Sequence, residues 1–210
     1  MQFPGDENAR RSALLGKIGE AASCRVDFIQ LREKDLSTRD LEDMARAAVG
    51  IIRRLRAENP QLTTRLLINS RTDVAIATGA DGVHLRSQDI SPRDVRAMWT
   101  RSAGEKSAVI GISCHSAADV AQAAREGADF AVFAPVFEKV AAPTMSTVKM
   151  RPAGLDGLRE ACKHKIPVLA LGGIRLENAR ACLDAGAAGV AAIRVFQNND
   201  VAEVVRKLRG

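Results

Sequence analysis

Arg32, Glu33, Lys34 and Asp35 follow one another directly after an apolar run that already carries Gln30. Two cations and an amide in five positions suit the capture of an anion, because a guanidinium can hold a phosphate bidentately and an ammonium adds a point charge. Three further runs end in the same manner: the second in Asn69, Ser70 and Arg71, the third in His84, Arg86, Gln88 and Asp89, the fourth in Ser113 and His115. The last two end in Gly172-Gly173 and in Ile193-Arg194. Glycines at such a point let backbone N–H groups approach a phosphate closely, and a following helix N-terminus adds positive potential. Each of these residues also has a plainer reading. Asp35 suits the start of a helix, His84 a satisfied core position, Arg71 an ion pair with Asp73, Arg32 one with Glu33 or Asp35, and Gly172-Gly173 a tight turn.

The runs that carry these residues are VDFIQLRE (26 to 33), RLLINS (65 to 70), GVHL (82 to 85), AVIGISCH (108 to 115), FAVFAPVF (130 to 137), PVLALGG (167 to 173) and GVAAIRVF (189 to 196). Nearly continuous hydrophobicity over four to eight residues is what a strand covered on both faces requires, as in a parallel sheet. Helical patterns lie between them. Ser37 with Asp40, Ser91 with Asp94 after which Pro92 takes the first helical position, and Ser116 with Asp119 are start signals of the capping-box kind. Leu41, Met44, Ala48, Ile51 or Ile52, and Leu55 then give the helix after Ser37 one apolar stripe. A weak repeat, TGADGVHL (78 to 85), EGADFAVF (126 to 133) and AGAAGVAAI (185 to 193), places a Gly-Ala step before three of the strands, as a left-handed helix cap would. The whole reads as βα units in one domain over residues 1 to 210, an α/β chain of the TIM-type (β/α) barrel class. No G-x-G-x-x-G follows a strand, so a Rossmann site is not indicated. In a barrel, chemistry sits at the C-terminal ends of the strands, where these polar groups are expected to share one rim, and phosphate is often held after the last two strands.

Composition narrows the partners. Hydrophobic residues make up 46% and charged residues 27% of the 210, which suits a globular enzyme rather than a disordered chain. No run approaches a membrane span, and MQFPGDENARR lacks a signal-peptide apolar stretch, so a cytoplasmic location is expected. The net charge of +6 is spread over mixed faces such as RDLEDMARAAVGIIRRLRAE. With 3% aromatic residues and no tyrosine there are few stacking platforms, so a small anionic substrate is favoured over nucleic acid. Cys24, Cys114, Cys162 and Cys182 show no CxxC pair and no histidine at metal-ligand spacing, which makes them structural thiols. The assembly state is left open, a homo-oligomer included.

The segments QLREKD (30 to 35), INSRTDVAIATGADGVHLRSQD (68 to 89), IGISCHS (110 to 116), GADFAVFAPVF (127 to 137), PVLALGGI (167 to 174) and ENARACLDAGAAGVAAI (177 to 193) strongly resemble the thiamine phosphate synthase and thiazole tautomerase superfamily. The resemblance runs in order from about residue 26 to residue 196. It implies a transferase that joins an aminopyrimidine methyl diphosphate to a thiazole phosphate, releases pyrophosphate and uses Mg²⁺. On the same resemblance Gln30, Arg32 and Lys34 hold the diphosphate and pyrimidine, Asn69 adds a contact, Asp89 is a magnesium ligand, and Ser113 touches the leaving group. Gly172 and Gly173 cradle the thiazole phosphate.

The chain departs from the family pattern at three places. The usual Asn-Asp is Asn69-Ser70, which removes one expected carboxylate. The usual Thr-x-Thr-Lys loop is replaced by EKVAAPTMSTVKM (138 to 150), in which Lys149 or Lys139 is expected to reach the pyrophosphate. Arg194 stands where a small residue is usual, and is counted among the substrate contacts. Two alternative functions follow from the same residues. One is a thiazole tautomerase with His115 as base, since an imidazole titrating near neutrality suits proton transfer. The other is a non-catalytic binder of thiamine intermediates. The retained QLREK segment and Asp89 favour the synthase, because a tautomerase expels no pyrophosphate. Finally, the family has a strand before the helix that here runs from about Asn8 to Ala22. The expectation is therefore a seven-stranded barrel open between its first and last strands, with Met1 not the natural start.

Overall fold

Short apolar runs become buried parallel strands here, and the amphipathic segments between them become the helices that cover them. The computed structural model describes residues 5–104, 107–138 and 151–210. Its elements are α1 (Glu7–Ser23), β1 (Phe28–Leu31), α2 (Thr38–Glu58), β2 (Arg65–Asn69), α3 (Thr72–Thr78), β3 (Gly82–Leu85), α4 (Pro92–Ala103) and β4 (Val109–Cys114). They continue as α5 (Ala117–Arg125), β5 (Phe130–Phe133), α6 (Gly154–Cys162), β6 (Val168–Ala170), α7 (Leu176–Asp184), β7 (Gly189–Val190), α8 (Arg194–Gln197) and α9 (Val201–Arg209). The strands follow one another in the sheet as they do in the chain, from β1 to β7. The pairs β1–β2, β2–β3, β4–β5, β5–β6 and β6–β7 are parallel. This succession of parallel strand and helix is the TIM-type (β/α) fold, with seven strands among the described residues and β1 and β7 at the ends of the order.

By its contacts the chain divides into two compact units. The first comprises Met1–His84, Asp94–Ile110 and Phe196–Gly210; the second comprises Leu85–Arg93 and Gly111–Val195.

In the first unit, Leu66, Leu67 and Ile68 of β2 are all at most 1% exposed, as a strand covered on both faces must be. Leu41, Met44, Ala48 and Ile52 form the buried stripe of α2. Ile51 turns instead toward α1, where a Cβ built on Gly19 would lie 3.5 Å from its Cγ2. Ser37 caps α2 by accepting a hydrogen bond from the Asp40 N–H at 3.2 Å. Asp81, just before β3, has a side chain only 7% exposed. It accepts hydrogen bonds from the Leu66 N–H at 2.9 Å and from Arg56 Nη2 at 2.8 Å, while Arg56 also donates to the Thr64 carbonyl. Burial pushes the Asp81 carboxyl up, but Arg56 and the Leu66 N–H outweigh it and hold the group below the ordinary carboxylate range.

In the second unit the core gathers Cys114, Val120, Phe133, Val136, Leu158 and Cys182 around β5 and β6. Ser116 and Asp119 form the expected capping box at α5. The FAVFAPVF run is strand only to Phe133, because Pro135 has no N–H to continue a ladder. The run GVAAIRVF differs from its expectation more. β7 stops at Val190, and Arg194 opens the short helix α8 instead of ending a strand. The last ladder bond is Ala191 N–H to Ala170 O, at 2.8 Å.

The Gly-Ala repeat has one geometry in all three copies. Gly79, Gly127 and Gly186 have φ of 65°, 79° and 101°. The N–H of each following alanine donates five residues back, Ala80 to Ala75 O at 3.0 Å, Ala128 to Ala123 O at 3.0 Å and Ala187 to Cys182 O at 3.1 Å. The glycine N–H groups donate three residues back, at 3.2, 3.3 and 2.9 Å. This is the Schellman cap, which closes a helix and releases the chain within two residues into the next strand.

Candidate active site

Gln30 is the third residue of β1 and Asn69 the last of β2, on strands paired in register Gln30↔Leu67. That placement lets Gln30 Nε2 donate to Asn69 Oδ1 at 2.7 Å, and Asn69 Nδ2 in turn donates to Ser70 Oγ at 3.1 Å. The chain fixes both amides: the Asn69 oxygen faces Gln30 and its nitrogen faces Ser70. Ser70 itself has φ of 59°, a left-handed conformation uncommon for a residue with a side chain, and its N–H donates to His84 O at 2.9 Å. Arg32 and Lys34, between β1 and the cap Ser37, are exposed and form no ion pair among the described residues. The pairing of Arg32 with Glu33 or Asp35 is thus not seen. Glu33 is half-buried, and that burial pushes its carboxyl up.

Two plainer readings fit this unit. Arg71 pairs with Asp73 at 2.6 Å and also donates to Thr38 Oγ1 at 3.1 Å. His84 is buried within β3, at 5% exposed. Asp35, by contrast, does not start α2, because Ser37 is the cap.

In the second unit, His115 directly follows β4. Its N–H donates to Asp119 Oδ2 at 2.8 Å, and its Nδ1 lies 2.7 Å from the Ala134 carbonyl. A carbonyl only accepts, so Nδ1 carries the proton in the neutral ring and Nε2 is left as the basic nitrogen. Ser113, two residues earlier, is half-buried in β4 and paired in register with Val132. Asp89 closes a turn on Arg86: its Oδ2 accepts the Arg86 N–H at 2.8 Å and its Oδ1 accepts Arg86 Nε at 3.1 Å. Arg86 also pairs with it through Nη2 at 3.0 Å, and the Asp89 side chain is 12% exposed.

Gly172 and Gly173 have φ of 96° and 65°. A Cβ on Gly172 would lie 2.7 Å from Pro135 Cα, and one on Gly173 would lie 2.5 Å from Glu138 O. Close packing against 135–138 therefore accounts for both glycines, as the tight-turn reading requires. The carbonyls of Leu171 and Gly172 accept the N–H groups of Val136 and Phe137 at 2.9 and 3.0 Å, and that of Gly173 accepts Asn178 Nδ2 at 3.0 Å. Sequence reasoning did not single out Asn178; the spacing of Asn178 from Arg175 was its only signal, as a helix-start pattern. Among the described residues, the Gly172 and Gly173 N–H groups have no acceptor. Arg194 is exposed at the first position of α8. Lys139 and Lys149 lie outside the described residues.

The cysteines offer no nucleophile. All four are free thiols, and burial raises Cys114 to about 12. Among the described residues no three His, Cys, Asp or Glu side chains gather as a metal cage would need. A magnesium ion asks for less, since it commonly keeps several waters and uses one or two carboxylates together with substrate phosphates. Asp89 is a carboxylate of that kind, held in one orientation by Arg86.

A TIM-type chain with amides and cations at the ends of its strands belongs to a class in which phosphate esters are common ligands. Residues 5–196 match the family model described as thiamine monophosphate synthase. The chain is 41% identical over 198 residues to a putative thiamine-phosphate synthase of Geobacter sulfurreducens, covering 93% of this chain and 85% of that protein. It is 37% identical over 183 residues to the thiamine-phosphate synthase of Chloroflexus aurantiacus, covering 86% and 77%. Its fold matches the thiamine phosphate pyrophosphorylase of Pyrococcus furiosus with a TM-score of 0.74 at 29% identity, over 93% and 87% of the two chains. The chain belongs to the thiamine monophosphate synthase family.

Proposed function

We propose that this chain is a thiamine phosphate synthase. It joins an aminopyrimidine methyl diphosphate to a thiazole phosphate and releases pyrophosphate. The observation that carries the reading is the pair of exposed cations, Arg32 and Lys34, without ion-pair partners among the described residues, in the segment that follows Gln30, whose amide is ordered against Asn69. Cations kept unpaired beside fixed donors are what a leaving diphosphate needs.

In this reaction the bond from the pyrimidine methyl carbon to the diphosphate oxygen breaks, and both its electrons leave with the pyrophosphate. Arg32 and Lys34 stabilise that charge as it develops, and Ser113 adds a neutral contact to the leaving group. The thiazole nitrogen then shares its lone pair with the carbocation, closing the new C–N bond. Gln30 and Asn69 orient the pyrimidine, and the N–H groups of Gly172 and Gly173 hold the thiazole phosphate, so that most of the work is positioning. Asp89 would hold Mg²⁺, which supplies further charge neutralisation on the diphosphate. We assign Arg194 a supporting contact to the phosphates. The proposal extends to a cytoplasmic enzyme of small phosphate esters without a nucleic-acid partner, as a monomer or a homo-oligomer. No helix among the described residues is long and apolar enough to cross a membrane.

The tautomerase reading has one observation in its favour, the Nδ1–H tautomer of His115 that leaves Nε2 basic. A single mixture separates the readings: purified protein, Mg²⁺, the pyrimidine diphosphate and the thiazole phosphate. Thiamine phosphate as product supports the synthase, ring isomerisation the tautomerase, and binding without turnover a non-catalytic role.

A further inference from the structure

The turn after β6 holds its peptide planes by their carbonyls. In a trans peptide the N–H points opposite to the C=O of the same plane, so fixing one fixes the other. Val136 and Phe137 N–H grip the carbonyls of Leu171 and Gly172, and thereby set the directions of the Gly172 and Gly173 N–H groups. The third plane, from Gly173 to Ile174, is gripped differently. Its carbonyl accepts a side-chain hydrogen bond from Asn178 Nδ2 at 3.0 Å. The other end of the same amide, Oδ1, accepts the Arg175 N–H at 2.8 Å, which starts α7. Among the described residues the Ile174 N–H, like those of the two glycines, has no acceptor. Successive N–H groups presented by a turn form the kind of backbone nest that binds anions.

We propose that Asn178 is a positioning residue for phosphate binding: by holding the Gly173 carbonyl it aims the Ile174 N–H as the third donor of a nest begun by Gly172 and Gly173. Asn178 touches no phosphate itself. The inference rests on the reading of Gly172-Gly173 as the cradle for the thiazole phosphate. Because Asn178 does two jobs with two ends of one amide, the jobs can be separated. Asn178→Asp keeps an oxygen for the Arg175 N–H and loses the donor to Gly173, whereas Asn178→Ala loses both.

The test compares wild type, Asn178→Ala and Asn178→Asp in three measurements. These are thermal unfolding, steady-state kinetics in each substrate, and the amide NMR signals of Gly172, Gly173 and Ile174 during titration with inorganic phosphate and with the thiazole phosphate. Asn178→Ala should lower Tm, and Asn178→Asp should restore most of it. In both variants KM for the thiazole phosphate should rise about tenfold, the scale of one hydrogen bond. KM for the pyrimidine diphosphate should stay near wild type, and the Ile174 amide should lose its response to phosphate. If Asn178→Asp restores KM along with Tm, Asn178 is only a helix cap and the inference fails while the cradle stands. If the three wild-type amides respond to neither phosphate compound, the cradle reading falls and the inference with it.

Discussion

Arg32 carries more of the proposed chemistry than any other side chain described, because a guanidinium without a counter-ion can meet a diphosphate with two parallel bonds. Arg32→Ala is expected to lower kcat/KM on the order of 10² or more, with Arg32→Lys recovering only part, since an ammonium cannot form the fork. An activity within a few fold of wild type in Arg32→Ala would remove Arg32 from the site. Asp89→Asn should reduce turnover by a similar factor of about 10², most visibly at limiting Mg²⁺, with Tm little changed. Mg²⁺ titration of the variant checks this: an unaltered Mg²⁺ dependence of turnover would take the metal away from Asp89. The polar residues at strand ends were legible in the sequence because their types are unusual beside buried strands. Their local bonds were not. That Arg71 is tied to Asp73 and Thr38, that Asp89 is held by Arg86, and that Asn178 grips a carbonyl five positions back are facts of side-chain direction, on which spacing is silent.

At the scale of elements, the partly buried pair Arg56–Asp81 joins α2 to the entrance of β3 and borrows the Leu66 N–H of β2. Asp81→Asn should destabilise the chain by about 3 kcal/mol, because it leaves a partly buried guanidinium without its charge. Chemical denaturation of the variant measures this, and a change under about 1 kcal/mol would mean that Arg56 finds another partner. The sign of the pH effect follows from the lowered carboxyl of Asp81. Its stabilisation is complete above the unfolded value of about 4 and is lost as pH falls through the lower folded value, so wild type should lose stability below about pH 4 by this route. Asp81→Asn should lack that part of the acid dependence. Among the elements, the Schellman caps were readable because Gly-Ala before an apolar run has few other uses. β7 was not: GVAAIRVF is apolar throughout, and hydrophobicity alone does not separate two residues of strand from the turn and helix that follow.

Over the whole molecule, the alternation of strands and helices fixed the fold class, and the family match extends from residue 5 to residue 196. The apolar runs number seven, and seven strands are present among the described residues. The boundaries moved where a proline or a cap overrode the apolar pattern. The proposed reaction has two substrates and two products in fixed proportion. The most direct test is to follow pyrophosphate and thiamine phosphate together, with purified protein and Mg²⁺, adding each substrate alone and then both. A synthase yields no thiamine phosphate from either substrate alone, and equal amounts of the two products when both are present. Pyrophosphate released without matching thiamine phosphate, or neither product with both substrates bound, would contradict it.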